Sequence, residues 1–155
     1  MKHSKLRVFL IALFATVAAV IIACTVAFSI FRWLIPNDAT DVQGTWSIEN
    51  SDTKITISER EIRMSEDVIF TYSLDATSKQ IIENLADKTG KVHYVFSADR
   101  KELVLIEQDM DFFTATFLDA GNLLQTFFAG EYSDTSAGFK NTDIAEDSIV
   151  RLHKG

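Results

Sequence analysis

Residues 54–74 read KITISEREIRMSEDVIFTYSL, and this stretch decides the fold because its apolar residues recur at every second position. Ile55 and Ile57 alternate with polar neighbours, and the pattern returns at Ile62 and Met64 after a short polar interval. A period of two is typical of strands with one buried face, whereas an amphipathic helix has a period of 3.6. The stretch therefore predicts successive strands joined by short turns.

The alternation continues toward the C-terminus. It groups apolar side chains in three further runs, namely Phe70, Tyr72 and Leu74; Val92, Tyr94 and Phe96; and Leu103 and Leu105. The run around Leu103 is apolar on both faces, which indicates a strand covered on both sides. Residues 149–153 are expected to form a closing strand. Short strands at intervals of about ten residues predict an all-β fold, an antiparallel up-and-down barrel of about eight strands.

Residues 110–130 are compatible with two structures. Phe113, Phe117 and Leu124 fall near one face of a helix, but residues 112–118 and 123–128 are also β-prone and flank a turn. We expect the hairpin, because Gly121 and Asn122 would otherwise lie in the middle of a helix. The polar residues 131–146 that follow are expected to form a long loop.

The N-terminal 35 residues differ from the rest of the chain. They contain four cations and no acidic residue, and residues 8–31 carry no charge. A helix of that length spans about 36 Å, which exceeds a hydrocarbon core of roughly 30 Å. Arg32 and Trp33 follow where a snorkelling cation and an interfacial aromatic belong. We expect a single-pass membrane protein with residues 1–7 in the cytoplasm, a transmembrane helix at 8–35, a tether at 36–42 and an exported barrel domain at 43–155.

Two other fates of this segment stay open. A cleaved secretory signal normally has a shorter apolar run than this one. The sequence Ile21-Ile22-Ala23-Cys24 resembles a bacterial lipobox, in which the cysteine is lipidated, although an apolar rather than a polar stretch follows Cys24. We favour the uncleaved anchor in a bacterial cell membrane, and all three fates place the remaining chain outside the cytoplasm.

Charge and cysteine content exclude several classes of protein. Residues 36–155 hold all 22 acidic residues and 11 of the 15 lysines and arginines, which gives a net charge of −11. Such an acidic domain repels phosphate, so nucleic acid is excluded as a partner. The negative charge either favours a basic partner or serves solubility alone, and we favour solubility. Cys24 is the only cysteine, which excludes a disulfide scaffold.

Gly44-Thr45-Trp46 opens the first strand after the polar tether, and a meander of strands follows for about 110 residues. This arrangement resembles the lipocalin-like (calycin) β-barrels, in which a Gly-x-Trp marks the first strand. The resemblance implies that Trp46 closes one end of the barrel and that a cation near the last strand packs on its ring. Arg151 is in a suitable position for that role, so we expect a structural pair of Trp46 and Arg151.

The residues that carry chemistry do not form a catalytic or metal-binding pattern. His93 and His153 are single, and we expect His93 to face solvent. Asp109 and Asp111 lack the rest of a calcium loop and are expected to lie in a solvated turn. The sequence contains no Gly-x-Ser-x-Gly. We therefore expect no cofactor, no metal and no enzymatic activity.

Aromatic side chains supply the remaining candidates. The candidate ligand or partner surface comprises Trp46, Phe70, Tyr72, Tyr94, Phe96, Phe112, Phe113, Phe127 and Phe128. Three roles are open for the two Phe-Phe pairs. Residues 131–146 cover them, they form a partner or membrane-proximal patch, or they line a cavity. Large inward rings favour a filled barrel, so the sequence points first to an interaction module that contacts another envelope protein. The alternative is a carrier of a small apolar or amphipathic ligand.

Overall fold

Eight strands pair with their neighbours in sequence and close into an antiparallel barrel, which confirms the predicted fold class. The computed structural model describes residues 2–34, 36–85, 88–97, 99–129 and 144–155. The strands are β1 (Gly44–Ile48), β2 (Lys54–Ile57), β3 (Glu61–Arg63), β4 (Ile69–Asp75), β5 (Gln80–Leu85), β6 (Lys88–Phe96), β7 (Glu102–Ile106) and β8 (Ile149–Lys154).

Pairing between the first and last strands closes the barrel. Trp46 of β1 is opposite Lys154 of β8, and Ile48 is opposite Leu152. Closure removes the two sheet edges that an open eight-stranded sheet would expose to other chains. Every strand can thus satisfy its backbone on both sides while one face of the sheet looks inward.

The alternating apolar residues point inward and form the core of the barrel. The buried cluster comprises Val42, Trp46, Ile55, Ile57, Ile62, Tyr72, Ile81, Tyr94, Leu103 and Leu152. Phe70, Leu74 and Phe96 are partly buried and pack against this cluster. The inward assignment of the aromatic residues on β4 and β6 follows directly from the period of two.

Two elements differ from the sequence-based expectation. Strand β5 was not predicted, because Ile81 and Ile82 are adjacent and do not alternate. The predicted hairpin at 110–130 is wrong, because Phe112–Ala129 forms a single helix, α3. The propensity cost of Gly121 and Asn122 inside a helix is about 1 kcal/mol or less for each residue, and burial of an amphipathic face outweighs it.

Helix α3 covers part of the outer face of the barrel. Val104, Ile106, Met110 and Ala115 form a second buried cluster, and Leu118 packs against it. Outward residues of β7 are thereby buried, as their apolar character indicated. Gln80 Nε2 donates a hydrogen bond of 2.9 Å to the Met110 carbonyl and holds the segment that leads into the helix.

The N-terminal 36 residues form a separate unit from residues 37–155. Helix α1 (Lys2–Ser29) continues into a π-helical turn (Ile30–Leu34), and residues Leu6–Leu34 are long and apolar enough to cross a membrane. The hydroxyls of Thr16, Thr25 and Ser29 donate to the carbonyls four residues earlier, which satisfies them within the helix. The guanidinium of Arg32 lies 5.1 Å from the centroid of the Trp33 ring.

Candidate functional site

A short helix closes one end of the barrel. Helix α2 (Asp38–Asp41) lies in the segment that the sequence suggested to be a tether, and Val42 after it is fully buried. The indole Nε1 of Trp46 donates a hydrogen bond of 2.8 Å to the Val42 carbonyl. We call this end, where residues 37–42 contact the barrel, the closed end.

Asp38 is the polar centre of the closed end and is only 3% exposed. Its carboxylate accepts hydrogen bonds from Lys79 Nζ and, at 2.8 Å, from the Tyr94 hydroxyl. Arg100 Nη1 lies 3.0 Å from its other oxygen, and Arg100 Nε lies 3.5 Å from Asp41. A buried carboxylate is tolerated only with such partners, so these contacts hold α2 in place.

The two cations that bind Asp38 occupy unusual backbone positions. Lys79 has a φ of 57° and Arg100 a φ of 62°, in the left-handed region that side chains other than glycine rarely adopt. Lys79 precedes β5 and Arg100 lies in the turn between β6 and β7. The conformation costs about 1 kcal/mol per residue, which the contacts with Asp38 help to offset.

The cation that packs on Trp46 is Lys154 and not Arg151. Lys154 Nζ lies 5.2 Å from the centroid of the indole ring and donates a hydrogen bond of 2.9 Å to the Asp41 carbonyl. Residues of β8 alternate, so Arg151 lies on the opposite face from Leu152 and Lys154, and its Nη1 is 3.8 Å from Glu49. Arg151, which the sequence suggested for this role, lies three positions before Lys154. An odd offset along a strand places its side chain on the other face.

Gly44 makes room for this arrangement. A Cβ atom at Gly44 would lie 3.2 Å from Cε of Lys154, and its φ of 133° is strained for other residues. The Gly-x-Trp of β1 therefore has a physical explanation in this chain. The glycine lets the lysine stem pass, and the lysine then covers the tryptophan.

The inward aromatic residues pack against one another. The ring of Phe96 lies 6.2 Å from that of Trp46 and 5.8 Å from that of Tyr94, in a tilted and an edge-on arrangement. The Tyr72 hydroxyl donates to the Ser58 carbonyl at 2.7 Å. Burial raises the pKa of the Tyr72 phenol, and the charge of Glu59 adds to the rise. Of the candidate ligand or partner surface, Trp46, Tyr72 and Tyr94 thus belong to the buried core, and Phe70 and Phe96 are partly buried against it.

The outer face of α3 is a different kind of surface. We call Phe113, Phe117, Leu124 and Phe128 the α3 stripe, and these side chains are 71%, 76%, 56% and 81% exposed, respectively. Their spacing of four, seven and four residues keeps them on one side of a helix. Phe112 is 42% exposed and its ring packs edge-on against Phe113. The side chain of Phe127 and the expected cover by residues 131–143 lie outside the described residues.

His93 does not face solvent, contrary to the sequence-based expectation. It lies on β6 beneath α3, fully buried, with Nε2 2.8 Å from Asp119 Oδ1. The alternation placed His93 correctly on the outer face of the barrel. The expectation of solvent contact was wrong because helix α3 covers that face. Asp119 is the only charged residue of α3, and this contact ties it to the barrel.

The predicted solvated turn at Asp109 and Asp111 contains the N-cap of α3. The Asp111 carboxylate accepts hydrogen bonds from the backbone amides of Phe113 and Thr114 and from the Thr114 hydroxyl. These bonds from Thr114 and Phe113 lower the pKa of Asp111. Within the described part of the chain, no three His, Cys, Asp or Glu side chains come together as a metal site would require.

Glu83 is a carboxylate on the inner face of the barrel, and its pKa is raised where that of Asp111 is lowered. Glu83 is paired with Tyr72 on β4 and with Gly90 on β6, so its side chain shares the inward face with the tyrosine. Burial raises the pKa of Glu83 above the ordinary value of 4.5, and repulsion from Glu107 adds to the rise. The charge of Glu83 is therefore a cost to the folded barrel.

Comparison of the chain with protein-family models, with curated proteins and with solved structures finds no match. The closed end and α3 are therefore the parts of the molecule from which a function can be inferred. Sequence reasoning missed the contacts of Asp38 because its partners are 41, 56 and 62 positions away. A signal for α3 was present, since Asp111 followed by an apolar run is typical of a helix N-terminus.

Proposed function

We propose that the chain is a membrane-anchored, non-catalytic envelope protein whose barrel domain binds a second envelope protein through the α3 stripe. The observation that carries the proposal is the exposure of the four stripe residues, each of them more than half accessible. Large apolar side chains that share one face of an exposed helix are typical of an interaction site. The proposal places residues 1–7 in the cytoplasm, the anchor at 8–35 in the cell membrane and the barrel outside.

The stripe suits recognition of a helix by a groove. In that mode an amphipathic helix places apolar residues of one face into a hydrophobic groove of the partner. Helix α3 has 18 residues and is about 27 Å long, and its inner face is fixed to the barrel by Ala115 and Leu118. Because the helix is already folded, binding would cost little ordering entropy.

The charge of the barrel domain indicates which surface chemistry a partner would need. The barrel domain has a net charge of −11, and α3 contains no lysine or arginine. Helices that lie on membranes usually carry cations that hold anionic headgroups, and α3 lacks them. A protein with an apolar groove and a basic rim would complement both the stripe and the surrounding acidic surface.

A carrier of a small apolar ligand, as in lipocalin-like barrels, is the alternative and has less support. Such a carrier needs room inside the barrel. Phe96 packs there against both Trp46 and Tyr94, and Leu103 and Leu152 belong to the same buried cluster. The packing of these aromatic residues against one another and against the buried cluster leaves them less available to a ligand, which supports the interaction module.

Photo-crosslinking in cells that natively make the protein tests the proposal. A benzoyl-phenylalanine replaces Phe113, Phe117 or Leu124 in the full chain, and Gln125 and Thr71 are the matched control positions. Gln125 is exposed on the same helix but about 100° around from Leu124, and Thr71 is exposed on β4. We expect the stripe positions, and not the controls, to give one discrete protein adduct.

A second variant links the adduct to the stripe. Phe117→Ser should leave the fold intact because the side chain is exposed, and it should reduce the adduct formed from position 113 by about tenfold, equivalent to ~1.4 kcal/mol. Salt should weaken the adduct because charge contributes to the encounter. Adducts only with lipid, only with a second copy of the chain, or equally from the control positions would each overturn the proposal.

A further inference from the structure

The closed end of the barrel holds a carboxylate in a cradle of three side chains. Lys79 Nζ and the Tyr94 hydroxyl converge on one oxygen of Asp38, and Arg100 approaches the other at 3.0 Å. Two cations and a hydroxyl around a single carboxylate form the arrangement that proteins use to bind acidic ligands. The three groups come from the residue before β5, from β6 and from the β6–β7 turn.

The cradle is part of the barrel, but its occupant is not. Lys79 and Tyr94 are buried, and Arg100 is steadied by its position 4.6 Å above the centroid of the Phe96 ring. Lys79 Nζ also lies 5.8 Å from the centroid of the Tyr94 ring. Asp38 belongs to the four-residue helix α2, which precedes β1 and does not join the sheet.

We propose that Lys79, Tyr94 and Arg100 form a carboxylate-binding site that Asp38 fills from within the chain, and that an external carboxylate can take its place. Residues 37–42 then act as a resident ligand that closes the barrel. The apolar helix proposed as the anchor ends at Leu34, and Asp38 follows four positions later. The occupant of the site is therefore close in sequence to the anchor. The proposal does not depend on the α3 stripe.

Chemical rescue tests the site in the full chain in detergent micelles. Asp38→Ala removes the carboxylate and leaves space beside the three donors. We expect this variant to unfold at a lower temperature than the parent. Sodium acetate at 0.2 M should reverse at least half of that decrease, whereas sodium chloride at equal ionic strength should not. Formate should act similarly, and methylsulfonamide, which is neutral, should not.

Two variants serve as controls for the position and for the cradle. Asp41→Ala removes the neighbouring carboxylate, which is 3.5 Å from Arg100 Nε, and should show no acetate-specific recovery. The double variant Asp38→Ala/Arg100→Met should lose the recovery because one cation of the cradle is gone. Asp38→Ser, which keeps a polar side chain, repeats the measurement if the alanine variant folds poorly.

The length of the carboxylate identifies its source. A larger recovery with hexanoate than with acetate assigns the site to acids with an acyl chain, and an equal or larger recovery with acetate assigns it to small acids or peptide carboxylates. Absence of recovery in every carboxylate for both Asp38 variants overturns the proposal, including the case in which neither variant folds. Equal recovery of Asp38→Ala and Asp41→Ala overturns it as well, because the effect would then be a general salt effect.

Discussion

Lys154 shows how a single residue can satisfy two needs of the closed end. Its stem passes over Gly44, its ammonium group lies over the Trp46 ring, and its hydrogen bond to Asp41 fixes the end of α2. Trp46 in turn donates to Val42. The indole is therefore held from its face by a cation and from its edge by a backbone carbonyl.

Replacement of Lys154 by methionine tests this contact. Lys154→Met keeps the apolar stem but removes the charge and the hydrogen bond, so we expect the free energy of unfolding to fall by ~1 kcal/mol. Arg151→Met is the matched control on the same strand and should cost less than ~0.5 kcal/mol, because its pair with Glu49 is partly exposed. Urea unfolding of both variants measures the difference, and a larger loss for Arg151→Met would contradict the assignment.

Glu83 predicts a pH dependence that arises from one residue. Its pKa is raised in the folded state, so the fold favours the protonated carboxyl, and stability falls as the pH rises through that pKa. Glu83→Gln should therefore raise the unfolding temperature at pH 7 by about 1–4 °C. The gain should shrink as the pH falls toward 4, where Glu83 itself becomes protonated.

Calorimetry of Glu83→Gln between pH 4 and pH 7.5 checks this expectation. Glu61→Gln, at an exposed position on β3, is the control for the loss of one negative charge from an acidic domain. If both variants gain equally at pH 7, the effect belongs to the net charge of the domain and not to the burial of Glu83.

At the scale of elements, the strands whose residues alternate were predicted from the sequence, whereas β5 and α3 were not. A half-buried strand carries its own signature, as in Ile55 and Ile57, because each inward residue is followed by an outward one. For residues 112–129, the same apolar residues fit either period, and local propensity favoured the wrong one. The deciding contribution is the apolar outer face of β7, around Val104 and Ile106, which α3 buries.

The N-cap of α3 should be necessary for the first turn of that helix. Asp111→Ala removes the acceptor of three hydrogen bonds, so amide exchange of residues 112–115 should accelerate while that of β6 and β7 stays unchanged. Because its folded pKa is lowered, the contribution of Asp111 is present above its unfolded pKa and is lost as the pH falls through the folded value.

Asp109→Ala is the control for the N-cap. Its carboxylate is exposed and lies 3.8 Å from Lys91, outside the cap geometry. Hydrogen exchange that accelerates equally in the two variants, or that spreads into β6 and β7 when only Asp111 is changed, would show that Asp111 acts on the barrel as a whole and not on the first turn of α3.

At the scale of the whole molecule, the candidate sites could be predicted only in part. The alternation and Gly44-Thr45-Trp46 indicated a barrel with a tryptophan at one end, since both signals are local. The three side chains of the cradle lie 41, 56 and 62 positions from Asp38 in sequence, so their contacts with it form only when the chain folds. Spacing in sequence carries no information about such distances, so only the three-dimensional arrangement could reveal the cradle.

The domain therefore begins before the first strand, and this has a measurable consequence. The fragment 37–155 contains the complete closed end, whereas 43–155 lacks α2 and Val42. Loss of the buried Val42 side chain and of the bond from Trp46 should lower the free energy of unfolding by about 2–4 kcal/mol. Lys79 and Arg100 regain water when α2 is absent, which keeps the loss below that of a buried unpaired charge. In urea, each fragment should unfold in one cooperative transition. The two slopes should be similar, and the midpoint of 43–155 should lie at a lower urea concentration than that of 37–155. Coincident midpoints would mean that residues 37–42 only link the anchor to the barrel and contribute nothing to its fold.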